Sequence, residues 1–172
     1  GYYSPKCTDI PTMFAEKAIP MIWEGLKYLD REKKLPDEKM REQLYYGSLY
    51  AGITLACCGT AFPHPLGYIL TEHYKVPHGV ACAAFMRDLV VRGVRYERTK
   101  SRALMNLMKT NSAQFFEIIT RLADVSDIVM TDEEVSQWCE RWNGEVPNNF
   151  IYSPGGFSKN EAKDLLRKKF VK

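Results

Sequence analysis

The stretch from Gly59 to Gly67 reads GTAFPHPLG, and the stretch from Val76 to Ala83 reads VPHGVACA. Proline and glycine interrupt the chain in both places, so each stretch predicts a turn or the start of a helix. The apolar residues between them are sufficient for one short helix. The sequence therefore predicts a short helix bounded by two turns that each carry a histidine.

Two long helices are predicted upstream of this region. Apolar residues between positions 10 and 29 recur at spacings of three and four, as in a helix packed on a core. Pro36 suits the start of a second helix that runs to about Cys58. This helix contains small residues that would let another backbone approach closely: Gly47, Ser48, Ala51, Gly52, Ala56 and Cys57. We therefore expect it to be central and buried.

Downstream, further helical patterns cover residues 80–91, 99–109, 112–123, 132–142 and 159–171. Three of these segments have plausible N-terminal caps, namely Ser112, Thr131 and Ser158. No segment shows the sustained alternation of a half-buried strand. The sequence predicts a single all-α domain of seven or eight helices that spans residues 1–172.

Composition excludes several classes of protein. Of the 172 residues, 45% are hydrophobic and 26% charged, which is typical of a globular chain with a core. A net charge of +3 is too small to indicate a nucleic-acid partner, and the most apolar stretch, residues 51–62, is too short to cross a membrane. Five cysteines without CxxC spacing favour a reducing, cytoplasmic setting.

The three histidines, His64, His73 and His78, all fall within one fifteen-residue window. His64 and His78 are each predicted near a helix N-terminus, which disfavours imidazolium and leaves the neutral ring that a metal needs. A straight helix over residues 65–74 would separate its ends by about 15 Å, so the chain must double back to bring the rings together. From the spacing alone, a shared metal and two hydrogen-bonded turn residues both remain open. His73, in a polar patch, is expected to face solvent.

Other motifs add little chemistry. No phosphate-binding loop, dinucleotide-binding GxGxxG or GxSxG motif occurs. The adjacent Cys57 and Cys58 lack zinc-ligand spacing, so they and Cys82 are interpreted as buried small hydrophobes. Gly155 and Gly156, after a proline, indicate a turn.

The two histidine-bearing stretches resemble the iron-containing alcohol dehydrogenase family. Essentially the whole chain, residues 1–172, is similar to the helical C-terminal domain of that family, whose fold is shared with dehydroquinate synthase and glycerol dehydrogenase. In the family, an Asp-x-x-x-His stretch and two later histidines hold a divalent metal, and fourteen positions separate the later two. The interval from His64 to His78 is the same. The resemblance therefore implies that His64 and His78 are metal ligands, with iron as the expected metal and zinc as an alternative.

The resemblance also bears on two neighbouring residues. Many family members carry a further histidine four positions after the first ligand, and here that position is Tyr68. A competing alignment would match His64 itself to this further histidine, with one extra helical turn before His78. Phe62 is expected either to line the substrate pocket, together with Tyr68, or to lie in the core. The resemblance assigns no catalytic residue beyond the metal ligands.

The implied activity is hydride transfer between a small alcohol or aldehyde and NAD(P). The nucleotide-binding N-terminal domain of the family and its Asp-x-x-x-His ligands do not occur in these residues, so we expect a fragment that partners with such a domain. Alone, the 172 residues are expected to be catalytically silent and to hold metal weakly, with self-association through uncovered apolar surface, and hence a homo-oligomer, as a corollary. Two alternatives stay open: a non-catalytic helical binding module with structural histidines, and glycerol dehydrogenase-like chemistry on the same fold.

Overall fold

The computed structural model describes residues 1–172, and α-helices form most of the chain. In order they are α1 (Asp9–Glu32), α2 (Glu38–Cys58), α3 (Pro63–Tyr74), α4 (His78–Ala83), α5 (Met86–Tyr96), α6 (Arg98–Leu107), α7 (Ser112–Leu122), α8 (Asp132–Cys139), α9 (Asn148–Ile151) and α10 (Lys159–Phe170). A 3-10 turn, Glu140–Trp142, follows α8, and an isolated parallel bridge joins Met130 to Val171. The predicted all-α fold is confirmed, with eight helices of eight or more residues and two short ones.

Side-chain caps explain where several helices begin. Thr131 and Ser158 each form a capping box, in which their hydroxyls accept from the backbone N–H three residues on and a glutamate side chain bonds back. The predicted Ser112 cap is wrong, because Asn111 lies at the cap position and its side chain accepts from the backbone N–H of Gln114. The caps fix helix starts to within one residue of the sequence-based positions.

The helix predicted over residues 80–91 is interrupted. Helix α4 ends at Ala83 and α5 begins at Met86, and between them Phe85 has non-helical dihedral angles (φ −105°, ψ 4°). Its side chain is fully buried and meets the ring of Phe170 edge-on at 6.2 Å. At the break, the backbone N–H of Phe85 donates to the carbonyl oxygen of Cys82 at 3.2 Å, three residues back instead of four, and burial of a phenylalanine side chain stabilises by about 1.5–3 kcal/mol.

Two hydrophobic clusters hold the helices together. The first lies among α3, α4, α8, α9 and α10 and includes Leu66, Phe150 and Leu166. The second lies among α1, α5, α6 and α7, where Trp23 packs on Phe115 with ring centroids 5.4 Å apart. Helices α3 and α4, which carry the two histidines of interest, are thus anchored by the first cluster.

Helix α2 is not the central helix that its small residues predict. It packs on α1, where Gly47 lies against Met21 and Ile22, but only Gly47, Thr54 and Cys58 of its 21 residues are buried. A Cβ on Gly52 would meet no atom within 4 Å. The expectation of a buried helix is therefore wrong: small residues permit close approach, yet only one neighbouring helix approaches.

No single helix combines the length and the apolar composition needed to cross a membrane. Helices α2 and α3 satisfy both requirements only when they are joined, and the two are bent by 113° at the break between them.

Candidate metal centre

His64 lies in the first turn of α3, between two prolines. Pro63 is the first residue of the helix, where its missing N–H costs no hydrogen bond. The backbone N–H of His64 donates to the carbonyl oxygen of Ala61 at 3.1 Å. The half-buried imidazole is thus held at the helix N-terminus by a backbone with little freedom.

His78 reaches the same place because the chain reverses after α3. Lys75 adopts a left-handed conformation (φ 58°), and the backbone N–H of Val76 donates to the carbonyl oxygen of Leu70. Helix α4 then begins at His78. The His78 ring lies back along one face of α3. It stacks on Tyr68 at 4.9 Å with an interplanar angle of 17°, and its Nδ1 lies 3.4 Å from Thr71 Oγ1.

The reversal brings the two imidazoles together. The ring centroids of His64 and His78 are 5.3 Å apart, with the rings inclined at 67°. Two nitrogens that bind one zinc-like cation at about 2.0–2.1 Å must lie within a few ångströms of each other, and this arrangement meets that requirement. The metal-ligand role of the pair stays a prediction.

Cys82 completes a group of three possible donors that sequence reasoning missed. Its Sγ lies 3.5 Å from His78 Nε2, and the donor atoms of His64, His78 and Cys82 all lie within 4.8 Å of one another. The sequence predicts a buried small hydrophobe at this position, yet the residue is only partly buried. The available signal is the spacing of four between His78 and Cys82, which places both on one face of a helix.

Burial governs the protonation of this group. Loss of solvation lowers the pKa of His64, and the neighbouring His78 lowers it further. The ring is therefore neutral at neutral pH and has a nitrogen lone pair for a cation. Burial raises the pKa of the Cys82 thiol to about 11, so without a positive charge nearby the sulfur carries its proton.

A cavity of about 330 Å³ opens beside His64. Its lining is mostly hydrophobic, and Met86, Leu55 and Ile22 are among the side chains that form it. Two members of the three-donor group, His64 and Cys82, also line the cavity. The site therefore joins nitrogen and sulfur donors to a space that suits an apolar molecule.

The other residues singled out from the sequence lie in different surroundings. Phe62 is fully buried in the first core cluster and stacks on Phe157 at 4.2 Å, which favours the core alternative for this side chain. Tyr68 is 47% exposed and covers one face of the His78 ring. His73 is exposed, as expected, and stacks on Trp138. The sulfur of Cys58 lies 3.7 Å from the carbonyl oxygen of Lys6 rather than beside a histidine.

An all-α domain with a histidine at the start of each of two adjoining helices is the arrangement that the sequence resemblance implied. Residues 1–137 match the model of the Fe-containing alcohol dehydrogenase family, C-terminal. The match covers most of the chain, and the protein therefore belongs to this family. The resemblance stated from the sequence is confirmed.

Individual relatives agree with this assignment. A 4-hydroxybutyrate dehydrogenase of Clostridium kluyveri is 25% identical over 156 residues, which is 81% of this chain and 41% of that protein. The crystal structure of an iron-containing alcohol dehydrogenase from Thermotoga maritima matches 98% of this chain and 45% of its own, with a TM-score of 0.79 and 19% identity. The crystal structure of a 1,3-propanediol oxidoreductase matches 98% of this chain and 47% of its own chain, with a TM-score of 0.79 and 20% identity. The structural matches show a shared fold, and the chain spans less than half the length of each relative.

Proposed function

We propose that these residues form the metal-binding wall of an NAD(P)-dependent alcohol dehydrogenase that interconverts a small alcohol and its aldehyde. The observation that carries the proposal is the pair of imidazoles, His64 and His78, with centroids 5.3 Å apart in a domain of this family. The chain spans less than half of its relatives, which supports a second, nucleotide-binding domain as the partner that holds NAD(P). The expected metal is iron, with zinc as an alternative.

His64 and His78 are the residues that would hold the metal. Both offer nitrogen donors, and burial keeps His64 neutral, so the donor set fits a divalent cation. When bound, the metal supplies Lewis-acid chemistry, which lowers the pKa of an alcohol oxygen and favours loss of hydride to the nicotinamide. Pro63 and Pro65 restrict the backbone around His64 before any metal arrives, so little ordering entropy is lost on binding.

Tyr68 and Thr71 orient His78. The stacked Tyr68 ring limits rotation of the imidazole, and Thr71 Oγ1 accepts from Nδ1–H when the proton is on that nitrogen. This tautomer leaves the lone pair on Nε2, as in metal sites whose histidine is held by an outer partner. Tyr68 stands where many family members carry a histidine, so a proton relay through an imidazole at this position is not proposed.

The cavity beside His64 is the proposed site for the carbon chain of the substrate. Its lining is mostly hydrophobic and includes Met86 and Leu55, so the space next to the donors suits a carbon chain. Where water is excluded from such a space, charge interactions strengthen and a hydride is protected from solvent. The five unpaired cysteines support a reducing, cytoplasmic location for the enzyme.

One observation favours a non-catalytic module as a second candidate. His78 has partners without any metal, because Thr71 and Cys82 both lie near its nitrogens. In that case the histidines would be structural. A third possibility, glycerol dehydrogenase-like chemistry on the same fold, uses the same donors on a different alcohol.

Metal analysis and activity together distinguish these candidates. The full-length protein should contain one divalent metal per chain and oxidise members of a panel of simple alcohols with NAD or NADP. His64→Ala and His78→Ala should lose metal and activity together, and the exposed control His73→Ala should retain both. Turnover confined to glycerol would favour the third possibility. Metal-free, inactive protein that is folded would overturn the proposal in favour of the structural module.

A further inference from the structure

We propose that Ser153 is a positioning residue for His64: its buried hydroxyl holds the backbone at the start of α3 and thereby fixes where the imidazole lies relative to His78. The inference rests on the proposed function, because it concerns how precisely a metal-binding pair is held. The hydrogen bonds of the serine, the few backbone donors at this helix start and the packing of the segment around the serine each support it.

The hydroxyl of Ser153 joins two segments that are far apart in the sequence. It is buried and accepts from the backbone N–H of Phe62, 91 residues earlier, at 2.9 Å. Its own proton is donated to the backbone carbonyl oxygen of Asn149 at 2.7 Å. Because a hydroxyl has only one proton, this second bond leaves the oxygen free to act as the acceptor for Phe62. The orientation of the hydroxyl is therefore set by α9, on which Asn149 lies.

The start of α3 depends on this bond because few backbone donors are present there. Pro63 and Pro65 have no N–H. The N–H of His64 donates to the carbonyl oxygen of Ala61, which belongs to the same turn. The N–H of Phe62, at the cap position, is the donor that joins this turn to a distant part of the chain. Loss of its acceptor would leave a buried polar group unsatisfied, so the turn would move or admit water.

The segment around Ser153 contacts the same loop at further points. The ring of Tyr152 lies against Gly59, where a Cβ would come within 3.0 Å of it. The side-chain amide of Asn149 donates to the hydroxyl of Thr60. The loop that leads into α3 is therefore held through both its backbone and its side chains by one short segment.

This segment is itself anchored to α5. The guanidinium of Arg92 donates to the carbonyl oxygens of Pro154, at 2.6 Å, and of Gly156. The ring of Phe157 stacks on that of Phe62, with centroids 4.2 Å apart. A hydroxyl on an anchored segment imposes a position on its partner, as the supporting residues of a precise site must do.

The position of the α3 start matters because two donors must meet one cation. The ring centroids of His64 and His78 are 5.3 Å apart. Distances between a metal and its ligands vary by only about 0.2 Å, and a looseness of about 1 Å in the supporting residues weakens a site. We therefore expect loss of the Ser153 hydroxyl to lower metal affinity beyond what its effect on stability explains.

Matched serine variants test the inference. Ser101 is the control, because it and Ser153 are each 3% exposed and its hydroxyl also bonds to a distant residue, Tyr3 of the second hydrophobic cluster. In the full-length protein, Ser153→Ala should weaken Zn²⁺ binding by about 10–100-fold, the range for loss of an outer partner. Ser101→Ala should bind Zn²⁺ like the wild type. Competition with a chromophoric chelator measures the affinity, and urea denaturation compares the stability of the two variants.

A second measurement needs no metal. In the metal-free protein with labelled histidine, a nuclear Overhauser effect between the ring protons of His64 and His78 reports their proximity. Ser153→Ala should weaken this effect and should speed hydrogen exchange of the Phe62 amide by about 10-fold, since that amide loses its acceptor. Ser101→Ala should change neither measurement.

A second variant guards against a failure to fold. Asn149→Ala removes the bond to Thr60 at a partly buried position but leaves the carbonyl oxygen that accepts from Ser153. It should weaken Zn²⁺ binding and the Overhauser effect in the same direction as Ser153→Ala, and by less. If Ser153→Ala does not fold, unchanged values in Asn149→Ala overturn the inference.

The outcomes separate this inference from the proposed function. If Ser153→Ala and Ser101→Ala bind Zn²⁺ equally well and both keep the Overhauser effect, Ser153 only stabilises the fold, and the inference fails while the proposed function stands. If the wild type binds no metal, the proposed function fails, and the Overhauser effect in the metal-free variants still decides whether Ser153 positions His64.

Discussion

Gly67 and Cys82 lie in direct contact across the α3–α4 interface. A Cβ on Gly67 would come within 2.9 Å of Cys82 Sγ and 3.1 Å of the Cys82 backbone nitrogen. The backbone atom cannot rotate away, so the absence of a side chain at Gly67 sets how closely the two helices approach. The proximity of His64 and His78 depends on this approach, because the first is on α3 and the second on α4.

The first prediction is that Gly67→Ala destabilises the protein by about 1–3 kcal/mol, since the added methyl group forces the two helices apart. Chemical denaturation measures the free energy of unfolding. Gly52→Ala is the matched control: this glycine is exposed in α2 with no atom near its missing Cβ, so the change should stabilise by about 0.5–1 kcal/mol. Equal unfolding midpoints for the two variants would show that the interface tolerates the methyl group.

The second prediction concerns Thr71. Thr71→Val keeps the shape of the side chain but removes the oxygen that lies 3.4 Å from His78 Nδ1. We expect metal affinity to fall by about 10–100-fold, with little loss of stability, because the tautomer of His78 is no longer fixed. Competition with a chromophoric chelator measures the affinity. Thr120→Val, at an exposed position on α7, should bind metal like the wild type, and an equal loss in both variants would contradict the role of Thr71.

The third prediction concerns Arg92, which connects α5 to the turn before α10. Its guanidinium donates to the carbonyl oxygens of Pro154 (2.6 Å) and Gly156 and pairs with Glu161 at 2.7 Å. Arg92→Lys retains the charge but cannot serve three acceptors in these directions, so we expect a loss of about 1.5–3 kcal/mol of unfolding free energy.

The control for Arg92 is on the same helix. Arg95 is exposed and lies over the Tyr96 ring at 5.2 Å, so Arg95→Lys should change the unfolding free energy by less than about 0.5 kcal/mol. Denaturation of the two lysine variants under identical conditions makes the comparison. Equal stability would show that the three acceptors are satisfied equally well by an ammonium group or by water.

The fourth prediction is a pH dependence at the α1–α7 contact. Asp30 accepts from Arg121 at 2.9 and 2.6 Å and from Lys33 at 2.9 Å, and these bonds, those from Arg121 first, lower its pKa. Because the folded pKa lies below the unfolded value of about 3.9, the stabilisation is complete above about pH 5 and is lost as the pH falls through the folded pKa. For a partly exposed pair it amounts to about 1 kcal/mol.

Asp30→Asn should therefore lower the unfolding free energy at pH 7 and make its decline between pH 5 and pH 2 shallower. Urea denaturation at several pH values measures both effects. Glu24→Gln, at an exposed pair with Lys27, should follow the wild-type curve. If the unfolding free energy of Asp30→Asn falls between pH 5 and pH 2 as steeply as that of the wild type, Asp30 is not a source of the pH dependence.

Local sequence predicts where the helices form better than it predicts which elements pack against them. Periodicity and caps such as Thr131 and Ser158 predict the helix type and most helix starts, because these features depend on residues within one or two turns. The exposure of α2 is not predictable from Gly52 and its small neighbours. Small residues allow another helix to approach closely, but they do not show whether one does. At the break between α4 and α5, Phe85 likewise contacts a residue distant in the sequence, Phe170, and local patterns do not reveal that contact.

The candidate site is likewise only partly predictable from local sequence. The proline contexts and the fourteen-position interval are features of the local sequence, and they are sufficient to single out His64 and His78. Cys82 escapes such reasoning because its proximity to His64 arises from the reversal at Lys75 and the contact at Gly67, which bring two helices together in space. The spacing of four from His78 is visible in the sequence, but only the start of α4 at His78 gives it meaning.

The last prediction is that residues 1–172 alone do not oxidise alcohols with NAD or NADP, even with Zn²⁺ or Fe²⁺ present. Hydride transfer needs a nicotinamide held against the substrate, and orientation of two reactants can supply about 7–11 kcal/mol of the barrier reduction. The family relatives are more than twice as long as the part that this chain matches, which supports a separate domain as the holder of the nucleotide. The assay compares the isolated chain with the full-length protein on the same alcohols, together with circular dichroism to verify that the chain is folded. Comparable turnover by both would show that these residues contain a complete active site, and the two-domain proposal would be wrong.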